Sequence, residues 1–300
     1  MKTLAYFAIR SHINALLVIV SFAIISIMTP IFSLLSLLSG AVIALYGLRK
    51  GIKEGLQLSA IAFAITLLLT SLLLKMPIIA FFILGIFWLP VLLPAWILRY
   101  NQDLAKALSI ALVPVFLGMG LFFIFWSGED PARFFQPFIQ QIMNELKING
   151  LVFTQDQMTV VNSLPQMLLS VLLLSFYLQT IFALIIGRWW QAVLFNAGGF
   201  QKEFHQLKMP VALVNLSFII WALALLSDSP YLLACSLLLI VPYVLQGIAI
   251  IHAFVKGKKL APLFLLITYF MLFTQVAILI AFFGYLDHWL QFRARYLNKI

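Results

Sequence analysis

"PQMLLSVLLLSFYLQTIFALIIGRWW", residues 165–190, is the stretch whose reading decides the fold. From Gln166 to Gly187 it contains no charged residue. About 20 apolar residues in a helix, rising ~1.5 Å each, cross a hydrocarbon core ~30 Å thick. A backbone in lipid must satisfy its own hydrogen bonds, and the run does not alternate as a barrel strand would, so it reads as a helix. It begins behind Pro165 and stops at Arg188 with Trp189 and Trp190. Those are residue types that collect at the membrane–water boundary.

Outward from this run, comparable apolar segments lie at 13–29, 31–48, 56–74, 77–98, 107–126, 211–227, 231–255 and 261–284. The chain is 64% hydrophobic and 9% charged, with mean hydropathy +1.10, whereas a soluble domain carries about 25% charged residues. The expected fold class is therefore all-α, a polytopic transmembrane bundle of about eight or nine spans. Residues 1–300 form a single integral membrane domain in this reading. Pro30, Pro77, Pro210, Pro230 and Pro262 fall at segment starts, where a missing N–H costs nothing. Pro90, Pro94, Pro114 and Pro242 fall inside segments and should kink them.

The net charge of +10 invites a nucleic-acid reading, but the basic residues sit in short loops and tails, as in a positive-inside membrane protein. No nucleic-acid partner is expected. Arg49, Lys50 and Lys53 outnumber Glu54; Arg99 and Lys106 outnumber Asp103; Arg188, Lys202 and Lys208 outnumber Glu203; Lys256, Lys258 and Lys259 are unopposed. An even number of spans separates each of these loops from the next, so all are expected in the cytoplasm, with the N-terminus, in a bacterial-type inner membrane. Lys2 and Arg10 precede the first segment without a small-residue cleavage site after it, which reads as an uncleaved signal-anchor. The tail "LDHWLQFRARYLNKI" conflicts with this scheme. Nine spans would put Arg293, Arg295 and Lys299 outside. Either the first two segments form one broken element, or the tail lies flat at the interface.

Residues 127–165 hold Glu129, Asp130, Glu145 and Asp156 against Arg133 and Lys147 and belong outside. Asp130-Pro131 reads as a helix start, followed by Phe134, Phe135, Phe138, Ile142 and Leu146 at helical spacing and a stop at Asn149-Gly150. Thr154-x-x-Gln157 is a capping box opening a second helix with Met158, Val161 and Leu164. An extracytoplasmic amphipathic hairpin, resting on headgroups or covering a cavity, is expected.

No catalytic constellation is visible, and neither cofactor nor metal is expected. His12, His205, His252 and His288 lie in separate segments without ligand spacing. No GxxxxGK[ST], Gly-x-Ser-x-Gly or His-Glu-x-x-His occurs. No acid or base lies mid-membrane, where ion-coupled carriers place one. Lone Cys235, in an apolar run, reads as a packed thiol. Neutral polar residues within spans most simply bond neighbouring helices. Tyr177, Gln179, Gln246 and Gln275 are nonetheless the candidates for a solute pocket beneath the outer hairpin. Gly40, Ala41 and Ala44, and Ala60 with Ala64, suggest close helix packing.

The stretch 188–210, "RWWQAVLFNAGGFQKEFHQLKMP", reads as a cytoplasmic interfacial hairpin anchored by aromatics. Asn196-Ala197-Gly198-Gly199 makes its turn, and Phe200, Phe204 and Leu207 share a face. Arg188, Trp189, Trp190, Gly198, Gly199, Phe200, Glu203 and Phe204 are the candidate docking residues for a cytoplasmic partner protein.

This stretch, with its Arg-Trp-Trp-Gln run, Gly-Gly-Phe and Glu-Phe, resembles the YybS-like predicted membrane protein family. "LYGLRKGIKEGL", residues 45–56, is similar to that family's basic Gly-rich turn between its second and third spans. The resemblance implies a distant relation to the substrate-binding S-components of energy-coupling-factor transporters. It further implies a membrane-embedded binding protein whose motor subunits are other chains. The expected function is a small-molecule-binding or transport component without its own ATPase, with the lipid bilayer and a small solute as partners. The alternative is a non-transporting scaffold or assembly factor that docks a cytoplasmic partner; an enzyme ranks third.

Overall fold

The computed structural model describes residues 1–28, 34–127, 130–150 and 153–296. Pro30, Glu129 and Lys299, used above, lie outside them. Every regular element among the described residues is helical. In order these are α1 Lys2–Arg10, α2 His12–Met28, α3 Leu35–Arg49, α4 Ile52–Leu69, α5 Ile78–Ile83, α6 Leu89–Asn101, α7 Leu104–Ile110 and α8 Leu112–Phe122. There follow α9 Ala132–Ile148, α10 Gln155–Phe195, α11 Gly199–His205, α12 Val211–Leu225, α13 Pro230–Val255, α14 Ala261–Met271, α15 Val276–Leu290 and α16 Phe292–Tyr296.

Five helical stretches are long and apolar enough to cross a membrane: Ile52–Leu74, Ile78–Asn101, Leu104–Trp126, Met167–Phe195 and Pro230–Val255. Their exposed residues include many large apolar ones, among them Leu72, Leu73, Ile124 and Phe125, as a surface facing lipid tails requires. α2, α3 and α12 are shorter apolar helices. α14 and α15 qualify only together, as a pair bent by 111° at residues 272–275. Each apolar segment of the sequence is thus a helix or a pair of helices, and the last is broken rather than straight. Gln275, expected within a span, stands at the break.

Three of the spans pass through a π-helical turn, at Thr70–Leu74, Leu84–Trp88 and Phe123–Ser127. The second immediately precedes Pro90, whose missing N–H lies at the start of α6. Insertion of a π-turn is one of the few ways a helix accommodates a local disturbance of its ladder.

The chain divides into two compact units. The first comprises Met1–Leu112, Leu178–Pro210 and Pro242–Ile300. Its packing centre is α3, whose residues from Ser39 to Leu48 are all buried and which packs on α2, α4 and α6. Small residues allow this. A Cβ on Gly187 of α10 would meet the Ala41 carbonyl at 2.9 Å, so α10 lies backbone-to-backbone on α3. Gly40 likewise faces Ala183 and the Phe87 carbonyl. The packing role expected of Gly40, Ala41 and Ala44 is therefore observed. That of Ala60 and Ala64 is not: both are exposed, and α4 buries Leu58, Ser59, Ala62 and Thr66 instead. α13 and α15 cross as closely, with Gly247 against Ile280 and Gly284 against the Tyr243 carbonyl. Two buried polar pairs tie helices of this unit together: Trp88 Nε1 donates to Ser39 Oγ at 2.7 Å, and the Tyr46 hydroxyl donates to the Ser11 carbonyl at 3.0 Å.

The second unit comprises Val113–Tyr177 and Val211–Val241. Here Asp130 caps α9 by accepting the Ala132 N–H at 2.9 Å, and Asn149 with Gly150 (φ +84°) ends it. Phe135 and Met143 are buried while Phe134, Phe138 and Ile142 form an exposed apolar stripe. Phe122 stacks on Phe135 at 5.7 Å, and Trp221 Nε1 donates to the Ser236 carbonyl at 3.1 Å. The capping box is reciprocal: Thr154 N–H donates to Gln157 Oε1 at 2.9 Å, and Gln157 N–H donates to Thr154 Oγ1 at 3.4 Å. The second arm of the expected hairpin does not stop at Pro165; it runs on without interruption as α10. A proline removes one intrahelical bond, but flanking helical residues carry the chain through. Cys235 is a buried free thiol beside Met119, as expected.

Candidate functional site

The candidate site lies in the first unit, where the 205–209 connection meets the ends of α13 and α15. A cavity of about 590 Å³ is lined there by His205, Gln206, Lys208, Ala253, Lys256, Asp287, Gln291, Arg293 and Ala294. Its wall is a closed chain of hydrogen bonds. Met209 N–H donates to Gln246 Oε1 at 2.8 Å, and Gln246 Nε2 donates to Asp287 Oδ2 at 3.4 Å. Arg293 Nη2 donates to the same Oδ2 at 2.7 Å, while its Nη1 donates to the His205 carbonyl at 2.8 Å. Gln291 takes a left-handed conformation (φ +49°) that ends α15 and lets α16 turn Arg293 back toward Asp287. Asp287 is 2% exposed and Oδ1 has no partner among the described residues.

The α14–α15 pair brings the tail back to the start of that pair. Lys256, before the α14–α15 pair, and Gln291 and Arg293, after it, line one cavity. The chain therefore leaves and returns to the same end of the unit. The 111° bend makes that return possible. In the sequence Asp287 belongs to the tail left with two alternatives, and no role is assigned to it. Its i+6 relation to Arg293 is no helical spacing, so the pairing was visible only once the αL turn was known.

Lys208 and Lys256 have no hydrogen bond or ion pair among the described residues, although both line the cavity. His205 is held below the usual histidine range, first by burial and then by His252 and Lys256. It is therefore neutral at neutral pH. Its neighbours are aromatic as well: the Phe204 ring meets His252 edge-on at 5.6 Å and stacks on Phe200 at 5.9 Å.

A second, smaller cavity of about 390 Å³ lies among Leu48, Arg49, Leu98, Arg99, Gln102, Arg188, Gln191, Asn196 and Glu203. Its cations are engaged. Arg188 Nε donates to Glu203 Oε2 at 2.9 Å and its other arm bonds Glu203 Oε1 and Gln191. Arg99 donates to the Leu48 carbonyl at 3.2 Å, and Arg49 stands 4.2 Å over the Phe195 ring.

Of the four solute-pocket candidates, only Gln246 joins the hydrogen-bond chain, standing behind the lining through Asp287. Tyr177 is buried, Gln179 keeps a buried Nε2 without a partner among the described residues, and Gln275 is exposed at the α14–α15 break. None of the four lines either cavity. The docking candidates also divide. Trp190 is fully buried and offers no surface; Arg188 and Glu203 face each other; Phe200 and Phe204 are half-buried. Trp189 is 37% exposed. Gly198 (φ +83°) makes the turn into α11, a conformation a side chain would strain, and Gly199 packs on the Asn196 side chain. No cluster of three metal-ligating side chains occurs among the described residues.

Apolar spanning helices and a polar cavity at one end of a helical unit define the class: a multi-pass, all-helical integral membrane protein. Residues 16–288 match the family described as "Predicted membrane protein (DUF2232)", and the chain belongs to that family. The match takes in the 188–210 stretch and every residue that bonds in the cavity wall except Arg293. No curated protein and no solved structure matches the chain.

Proposed function

We propose that this protein is a membrane-embedded binding component for a small solute, without a motor of its own, in a bacterial-type cytoplasmic membrane. The observation that supports it is the 590 Å³ cavity between Lys208, Lys256 and Arg293. Its size falls within the ~300–1,000 Å³ typical of small-molecule sites, and its polar groups converge from separate elements. The loop charges favour an N-terminus and a cavity on the cytoplasmic side, with 127–165 outside. A scaffold docking through 188–210 is the weaker reading, because Trp190 is buried and the Arg188 charge is matched by Glu203. Native mass spectrometry of the purified full-length chain tests the proposal. A retained small molecule that is lost in Lys208→Gln/Lys256→Gln supports it. A protein that retains nothing, and whose unfolding midpoint no small-molecule mixture shifts, overturns it.

A further inference from the structure

We infer that the cavity takes a phosphate-bearing ligand, held through its dianionic phosphate by Lys208 and Lys256. The inference rests on the binding reading above and names its ligand class.

The charge count comes first. Lys208, Lys256 and Arg293 line the cavity against the single carboxylate of Asp287. Two positive charges are thus left uncompensated, and His205 adds none at neutral pH, being held in its neutral form. A phosphate monoester carries about −1.5 to −2 charges at pH 7, which matches that surplus.

The donor geometry points the same way. A lone carboxylate is best gripped by the two-armed fork of an arginine. Arg293 has its fork engaged, one arm on Asp287 and the other on the His205 carbonyl. The free donors are ammonium groups, compact point charges on flexible stems that bind phosphate without a fixed fork. Asp287 and the His205 carbonyl hold Arg293 in place, so its guanidinium adds to the positive field while the two lysines supply the mobile donors. In the smaller cavity every arginine is already engaged by a carboxylate, a carbonyl or an aromatic ring. Both cavities carry the same formal surplus, but only the larger one has lysine ammonium groups with no hydrogen bond or ion pair among the described residues.

The cavity is also far larger than an inorganic phosphate needs. Ala253 and Ala294 give it an apolar wall, which leaves room for an organic body on the ester. Such a phosphate could come from a soluble phosphorylated metabolite or from a lipid headgroup, and the test separates these.

The full-length chain is reconstituted in phosphatidylcholine nanodiscs and titrated with inorganic phosphate and with glycerol 3-phosphate, with the unfolding midpoint as readout. Both probes are expected to raise the midpoint, glycerol 3-phosphate at lower concentration. Lys208→Gln/Lys256→Gln is expected to weaken both by about tenfold or more, as two exposed charges near one anion would. Lys258→Gln/Lys259→Gln removes the same charge outside the cavity and should leave both titrations unchanged. Nanodiscs containing phosphatidic acid form the second arm. If they raise the midpoint in a Lys208/Lys256-dependent way and abolish the glycerol 3-phosphate shift, the phosphate is that of a lipid. Equal losses in the two double variants, or no shift with any phosphate-bearing probe, would overturn the inference. If a neutral molecule is retained in native mass spectrometry while the phosphate probes do nothing, the binding reading stands and the phosphate assignment fails.

Discussion

Removing Arg293 should cost more than removing the acid it serves. Asp287 is 2% exposed and Arg293 15%, with 2.7 Å between Nη2 and Oδ2. At that separation the attraction is about 6 kcal/mol for an effective dielectric of ~20, much of it offset by the desolvation of both ions. Arg293→Gln leaves the carboxylate buried with only Gln246 to donate to it, and deleting one partner of such a pair typically costs about 3–5 kcal/mol. Asp287→Asn keeps an acceptor for both Arg293 and Gln246 and leaves a guanidinium beside an open cavity. Its cost should be about 1–2 kcal/mol, that of a weakened charged hydrogen bond. The double variant should be less damaged than the sum of the singles, because the carboxylate that Arg293→Gln orphans is gone. Reversible unfolding of the full chain in mixed micelles measures all four corners of this cycle. A smaller loss for Arg293→Gln than for Asp287→Asn, or two additive singles, would refute the account of the wall.

Three further outcomes are expected. Gly284→Ala places a methyl group on the Tyr243 carbonyl and the Gly247 amide, and should destabilise by about 1–3 kcal/mol, whereas Gly118→Ala, which meets open space, should be neutral or slightly stabilising in the same unfolding assay. Trp88→Phe removes the donor to buried Ser39 and should lower stability by about 1–3 kcal/mol; recovery in the Trp88→Phe/Ser39→Ala double variant checks that the orphaned hydroxyl is the cause. His205 sits below its ordinary 6.5 because of burial, His252 and Lys256, with Lys208, Asp287 and Arg293 also facing it across the cavity. The unfolded chain therefore takes up the proton first, so the stability His205 contributes is complete above pH 6.5 and is lost as pH falls toward the folded-state value. The unfolding midpoint should drop over that range, and His205→Gln should flatten the drop.

The sequence alone determined that this is a helical, multi-pass membrane protein. A run such as 166–187 can satisfy its backbone in lipid only as a helix, so composition and length carry the answer without any knowledge of neighbours. It also located the local devices, because the Thr154–Gln157 capping box and the Asn149-Gly150 stop act through bonds between residues three or four apart. The close approach at Gly40, Ala41 and Ala44 was legible from residue size. The same criterion failed at Ala60 and Ala64, because side-chain size does not say which face of a helix turns inward.

What only the tertiary structure decided is the site. Its wall joins Met209, Gln246, Asp287, Arg293 and His205, which lie up to 88 positions apart in the chain. No periodicity links them. The 111° break between α14 and α15 and the left-handed turn at Gln291 bring the tail back to Lys256, and neither is encoded by hydropathy. A charge near the end of an apolar segment looks the same in sequence whether it faces water or a buried partner. Its partner is chosen by packing, and packing is a property of the whole chain.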